Sequence, residues 1–209
     1  MISKMDIFHR SALLAVAICA FAPSVARAVC PVNQAYVRSL AAPGKTVLVI
    51  EYYDGQQAAR SRKGYVSPSG FRPTSATDFK VDESTSLHLF GLEPCNGELV
   101  NRSEGFAGGC EEFATEQLAI KLKAAKVLYC RAFLSEQNTA IQNVSCFGYY
   151  NFPGTLDAVD NIEEQLVSIG ALRVSKNVDG TLLRPDLAEA DMIGRSGFGM
   201  WADQRVRGQ

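Results

Sequence analysis

The feature that most constrains this chain is a set of five cysteines, Cys30, Cys95, Cys110, Cys130 and Cys146, downstream of a segment laid out like an export signal. Lys4, His9 and Arg10 precede an apolar stretch over residues 11–22, followed by Pro23 and the small-x-small sequence Ala26-Arg27-Ala28. A bilayer span needs roughly 20 apolar residues, and this run is too short. Residues 1–28 therefore read as a signal peptide cut after Ala28, with the mature chain in the periplasm or outside the cell. Val29, just before Cys30, does not suit lipidation. In an oxidising compartment thiols pair before they bind metal, and no two of these cysteines have the two-residue spacing of a redox or zinc knuckle. Cys95 and Cys110 flank a polar, Gly-rich loop over 96–109. Cys130 and Cys146 lie in two apolar runs joined by a polar connection over 135–143, as neighbouring strands of a hairpin do. The expected bridges are Cys95–Cys110 and Cys130–Cys146, each closing about 16 residues and contributing on the order of 3 kcal/mol by chain entropy. Cys30 is left as a free thiol or a link to a partner.

With 209 residues, 47% of them hydrophobic and 21% charged, the chain suits one ordinary globular domain with an appended segment. Lys and Arg number 21 against 22 Asp and Glu, so no overall basic field advertises nucleic acid. Cleavage removes Lys4, Arg10, Arg27 and Asp6, taking the net charge from −1 to −3, and leaves His88 as the one histidine of the mature protein.

Residues 45–53 are rich in β-branched and aromatic side chains and end at Asp54-Gly55, which predicts a strand and a turn. Residues 56–73 have loop composition, with Gly64, Pro68 and Gly70. They carry Arg60, Arg62, Lys63 and Arg72 interleaved with Tyr65 and Phe71, either a solvated loop or a grip for an anionic polymer. Short strands are expected at 79–81 and 87–92. Ala114, Leu118, Leu122 and Ala125 mark one face of a helix over 111–126. Residues 127–134 and 144–150 are strand-like. Val159, Ile162, Leu166 and Ile169 suggest a second helix, with Asp157 as N-cap and Gly170 as stop. Pro185 opens a third, leading to Trp201 as a packing anchor. Residues 29–44 show no firm pattern. Strands with segregated helices point to an α+β fold, expected as a five-stranded OB-type β-barrel with about three helices packed on it.

The stretch Leu87-His-Leu-Phe-Gly-Leu-Glu-Pro-Cys95 resembles the thermonuclease (staphylococcal-nuclease-like) family, in which a strand reads apolar-Arg-Leu-x-Gly-Ile-Asp-x-Pro-Glu. Glu164-Gln-Leu-Val-Ser-Ile-Gly-Ala171 is similar to that family's Leu-Val-x-x-Gly-Ala helix. Residues 187–201, ending Gly-Met-Trp201, resemble its closing Gly-x-Trp segment. The cysteine-bearing strands resemble a hairpin of exported bacterial members. On this resemblance residues 29–73 are an N-terminal extension with the first strand and the basic loop, and residues 74–209 are the barrel domain.

The resemblance implies a barrel holding one calcium ion through carboxylates, two arginines gripping a phosphate, and a glutamate that activates or positions water. A hard cation wants oxygen ligands, and guanidinium forks match phosphate. This chain departs from that set. The first arginine position is His88, the metal-binding aspartate position is Glu93, and the glutamate position is Asn96, with Glu98 two residues on. Asp78 is the remaining candidate metal ligand, and the second arginine has no counterpart over 138–142. Losing such charged contacts removes several kcal/mol of transition-state stabilisation. The expectation is an exported barrel without nuclease activity that binds an anionic ligand or a protein partner, in a setting of cell-surface or exopolysaccharide production. The alternative is a divergent calcium-dependent phosphodiesterase acting on DNA or RNA through His88, Glu93 and Glu98, with Arg60, Arg62, Lys63 and Arg72 as ligand-binding residues.

Overall fold

The β-branched run at Thr46 becomes the strand on which the main sheet is assembled. The computed structural model describes residues 32–207, so the signal segment 1–28 and Cys30 lie outside the described residues. In chain order the first elements are α1 (Gln34–Ser39), β1 (Thr46–Tyr53), β2 (Ala59–Ser67), β3 (Asp78–Lys80), β4 (Ser86–Leu89), β5 (Leu92–Glu93), β6 (Glu98–Asn101) and β7 (Phe106–Gly109). They continue as α2 (Cys110–Ala124), β8 (Val127–Phe133), β9 (Ile141–Phe152), β10 (Leu156–Asn161), α3 (Ile162–Ser168), β11 (Arg173–Val174), α4 (Ala188–Arg195) and α5 (Gln204–Arg207). The architecture is mixed α+β.

Seven strands share the main sheet, ordered β2-β1-β8-β9-β4-β3, with β10 also on β9. β1 pairs antiparallel with β2 and parallel with β8, from Val47↔Val127 to Tyr53↔Phe133. β8 and β9 run antiparallel with Cys130 directly opposite Cys146. The long strand β9 changes partner along one edge, from β4 over Ile141–Val144 to β10 over Phe147–Phe152.

Period-two alternation gives the sheet two faces. Leu48, Ile50, Leu128, Cys130, Val144, Cys146 and Tyr150 enter the main core, which α2, α3 and Trp201 complete. On the opposite face Val49, Val127, Tyr129, Tyr149 and Val159 form a second cluster with Val37, covered by Tyr36 and Leu40 of α1 and its C-terminal end. The helix α1 stops there, and the same face continues beyond it, past Glu51 and Arg131, to Tyr53 and Phe133.

The disulfides Cys95–Cys110 and Cys130–Cys146 are both formed, as the spacing predicts. The helix expected over 111–126 is α2, with Glu111 and Glu112 in its first turn and Lys121 and Lys123 in its last, matching the helix dipole. Trp201 is buried at 1% exposure. Close packing of α3 on the chain after α4 needs glycine at 170. Its φ is +66°, and a Cβ there would lie 2.2 Å from the Phe198 carbonyl oxygen.

Several expectations are corrected. Residues 56–73 are not simply a loop, because 59–67 form β2, an edge strand exposed along most of its length. A polar edge strand has the composition of a loop, since only one of its edges pairs and little of it is buried. The second helix does not begin near Asp157. Residues 156–161 pair with β9, and Asn161 caps α3 by accepting the Glu164 N–H at 2.9 Å. Loop 96–109 contains the β6–β7 hairpin, and residues 34–39 are helical despite their lack of pattern. The strand expected over 87–92 breaks after Leu89, at Phe90 and the positive-φ Gly91. Five strands and three helices undercount the fold because β2 and β10 read as loop and helix, α1 has no pattern, and pieces two to four residues long carry no readable period.

Replacing both Cys130 and Cys146 with alanine is expected to lower unfolding free energy by about 3 kcal/mol in urea titration. A loss under about 1 kcal/mol would show that the ladder alone holds β8 on β9.

Candidate ligand cleft

Where α1 ends, the outer face of the sheet opens into a cleft of about 400 Å³. Alternation on three strands aims its lining: Tyr53 from β1, Arg131 and Phe133 from β8, and Asn143, Ser145 and Phe147 from β9. Phe90, Glu136 and Arg184 complete it. Four rings therefore face two guanidiniums. Arg131 stacks on Tyr53, its Cζ 4.8 Å from the ring centroid, and Tyr53 packs on Phe133 with centroids 4.6 Å apart. Phe133 is 53% and Phe90 41% exposed, so apolar area stays open to solvent. Burial pushes the Tyr53 phenol up, while the charges of Arg131 and Arg184 pull it down, which places both cations within electrostatic reach of one hydroxyl.

Two buried carboxylates hold those cations. Glu51 is 8% exposed. Its Oε2 accepts the Tyr129 hydroxyl at 2.6 Å and the Arg62 Nη2 at 2.6 Å, and its Oε1 lies 3.5 Å from Arg131 Nε. Burial alone would raise the Glu51 carboxyl, but these hydrogen bonds and the Arg62 and Arg131 charges outweigh it and hold the group below its ordinary value. Two guanidiniums thus share one carboxylate. Arg184 is bound by Asp186, donates from Nη1 to the Phe90 carbonyl at 3.2 Å, and has Glu163 3.9 Å from that same nitrogen.

Glu163 is fully buried, and both its oxygens accept the Cys146 N–H at 3.0 Å. Cys146 falls between the end of the β4 pairing and the start of the β10 pairing, so its amide has no strand partner on that edge. The carboxylate at the start of α3 satisfies a donor that burial would otherwise strand. Burial pushes the Glu163 carboxyl up, against the opposing pull of Arg184 and the Cys146 amide.

The expected site residues scatter. His88 and Asp78, assigned different roles from sequence, meet as register partners on β4 and β3, with Nδ1 and Oδ1 2.9 Å apart. Asp78 Oδ2 also accepts the hydroxyls of Ser75 and Thr77. Glu93 turns elsewhere, taking Arg173 Nε at 2.9 Å on one oxygen and the Ser175 hydroxyl at 3.2 Å on the other. Glu98 is exposed on β6, where its charge acts on Arg205. Asn96 is exposed on the turn before β6.

A calcium ion wants several oxygens converging on one point. Asp78 and Glu93 are each committed to donors, and among the described residues no three of His, Cys, Asp or Glu gather as a metal cage. The residues present do not fit that ion. Of the basic group, Arg60 pairs with Asp54, Arg62 with Glu51, and Lys63 lies 3.9 Å from Asp82 and over Tyr65. Arg72 is exposed between β2 and β3.

Arg131, Arg184 and Glu163 are the residues that sequence reasoning missed. The one available signal for Arg131 was a cation inside an apolar strand, Val127-Leu-Tyr-Cys-Arg-Ala-Phe133. No protein-family model matches the chain, and no curated protein matches it.

The Glu51 carboxyl titrates lower folded than unfolded, so its contribution is present above the unfolded value and lost as pH falls through the folded one. Glu51→Gln is expected to cost about 2–3 kcal/mol at pH 7. The gap from wild type should shrink in urea titrations run at successively lower pH. A gap that holds constant into strong acid would show that the Glu51 charge contributes nothing.

Proposed function

We propose that this protein is an exported, non-catalytic binding module, and that the cleft lined by Tyr53, Phe133, Arg131 and Arg184 receives an anionic, ring-bearing ligand such as an acidic sugar chain of the cell surface. The observation that carries this reading is the convergence of two guanidiniums and four aromatic rings in one open cleft, while the carboxylates that a metal-dependent nuclease would need lie apart. Aromatic faces cover the apolar face of a ring, and guanidinium forks suit carboxylates. The cluster of Arg62, Arg131 and Glu51 keeps one positive charge in excess, which favours an anion. On this reading the sheet is a divergent OB-type barrel of the thermonuclease kind that has lost its phosphate-cutting groups. Export is supported by two disulfides and the signal-like segment, and no helix among the described residues is long and apolar enough to cross a membrane.

The His88–Asp78 contact favours one second reading, a divergent calcium-dependent phosphodiesterase in which Asp78 orients the imidazole as a proton acceptor. The two readings separate in one assay. Mature protein with single-stranded DNA and calcium is expected to give no cleavage that chelator suppresses. In equilibrium binding to a carboxylated polysaccharide, Arg184→Met and Phe133→Ala are each expected to weaken affinity about fivefold or more. Chelator-sensitive cleavage lost on both His88→Ala and Glu93→Ala would overturn the binding-module reading.

A further inference from the structure

The wall of the cleft that carries Arg184 rests on an acid that solvent does not reach. Glu163 serves three neighbours at once: the orphaned Cys146 amide, Ser145 through its hydroxyl, and the Arg184 guanidinium at 3.9 Å. Ser145 and Arg184 both line the cleft. We infer that Glu163 is a positioning residue for ligand capture: ionised, it draws Arg184 back against the sheet, and neutral, it releases that guanidinium to an anion in the cleft. The inference rests on the cleft being the ligand site. It adds that this site tightens in acid.

Geometry sets the sign. Arg184 lies between two carboxylates, Asp186 on its solvent side and Glu163 beneath it. With both ionised, negative charge outnumbers the one guanidinium, and an incoming anion is opposed. With Glu163 neutral, one opposing charge is gone, while the protonated carboxyl still offers an oxygen to the Cys146 amide. The fold therefore survives the change of state. Burial pushes this carboxyl above its ordinary value, so its change of state comes at a higher pH than that of a surface glutamate.

The other groups around it are few. From β9 come Ser145 and the buried Tyr150 phenol, which responds to Glu163 and to Asp160 of β10. Lys121 of α2 responds to Asp160, and the charges of α4 include the internal pair Asp191–Arg195. Asp186 stands with Arg184 ahead of α4.

The probe is 8-anilinonaphthalene-1-sulfonate, an aromatic anion whose own charge is constant across the range used. Wild-type affinity is expected to rise about fivefold as pH falls from about 8 to about 5, the effect of one screened charge. Glu163→Gln keeps an acceptor for the Cys146 amide, and should bind at the higher pH as tightly as wild type does at the lower, with no slope. Asp186→Asn should tighten binding and keep the slope. Retention of the wild-type slope in Glu163→Gln, or weaker binding at every pH, overturns the role of Glu163. Probe binding indifferent to both Phe133→Ala and Arg184→Met overturns the cleft itself, and the inference with it. A readout without ligand checks the same link: the Arg184 Nε–Hε resonance should move with pH in wild type and stay still in Glu163→Gln. A resonance that is still in both proteins counts against the proposal.

Discussion

Two buried carboxylates, Glu51 and Glu163, hold the cations that shape the open end of the sheet. Each lies where low polarity makes an unpaired charge costly, and each is matched by guanidinium and by hydrogen-bond donors. Removing either acid would leave a cation with a smaller share of its compensation, so the lining of the cleft depends on groups that do not themselves line it. Arg131 belongs to β8 and Arg184 to the segment ahead of α4, yet both act on the Tyr53 hydroxyl.

The scaffold makes this arrangement possible by using the outer face of the sheet for two purposes. The helix α1 and a small apolar cluster seal one half. Glu51 and Tyr129, with Arg62 over the Tyr36 ring at 4.9 Å, form the boundary. Beyond it the same strands present rings and cations to solvent. On the inner face the Cys130–Cys146 bridge ties β8 to β9 one residue from Arg131 and Ser145, so the floor of the cleft is stapled from below. The strand β9 changes partner along one edge, and the amide left at that change recruits Glu163.

Much of the fold was legible wherever periodicity or chemistry is local. The strand from Thr46, the helix from Cys110 and the pairing of the cysteines follow from side-chain patterns within windows of 10 to 20 residues. Legibility failed where polarity mimics a loop, as in β2, and where an accidental 3.6-residue spacing overlaid a strand, as at Val159 of β10. The candidate site was less legible than the fold. Positions chosen by resemblance, His88, Glu93, Glu98 and Asp78, have their charges absorbed by neighbours or stand apart from one another. The residues that converge were unremarkable in sequence: one arginine inside a strand and another before a proline.

Sequence alone determined which cysteines pair and where the first strand and the long helix begin. Those features depend on neighbours along the chain or on residue identity. Only the tertiary structure decided that Arg131 and Arg184 share a cleft, that Glu51 serves two guanidiniums, and that Glu163 lies beneath them. Partners separated by 11 residues for Glu51 and Arg62, 21 for Glu163 and Arg184 and 80 for Glu51 and Arg131 leave no local pattern. Sheet register and the path of β9 bring them together.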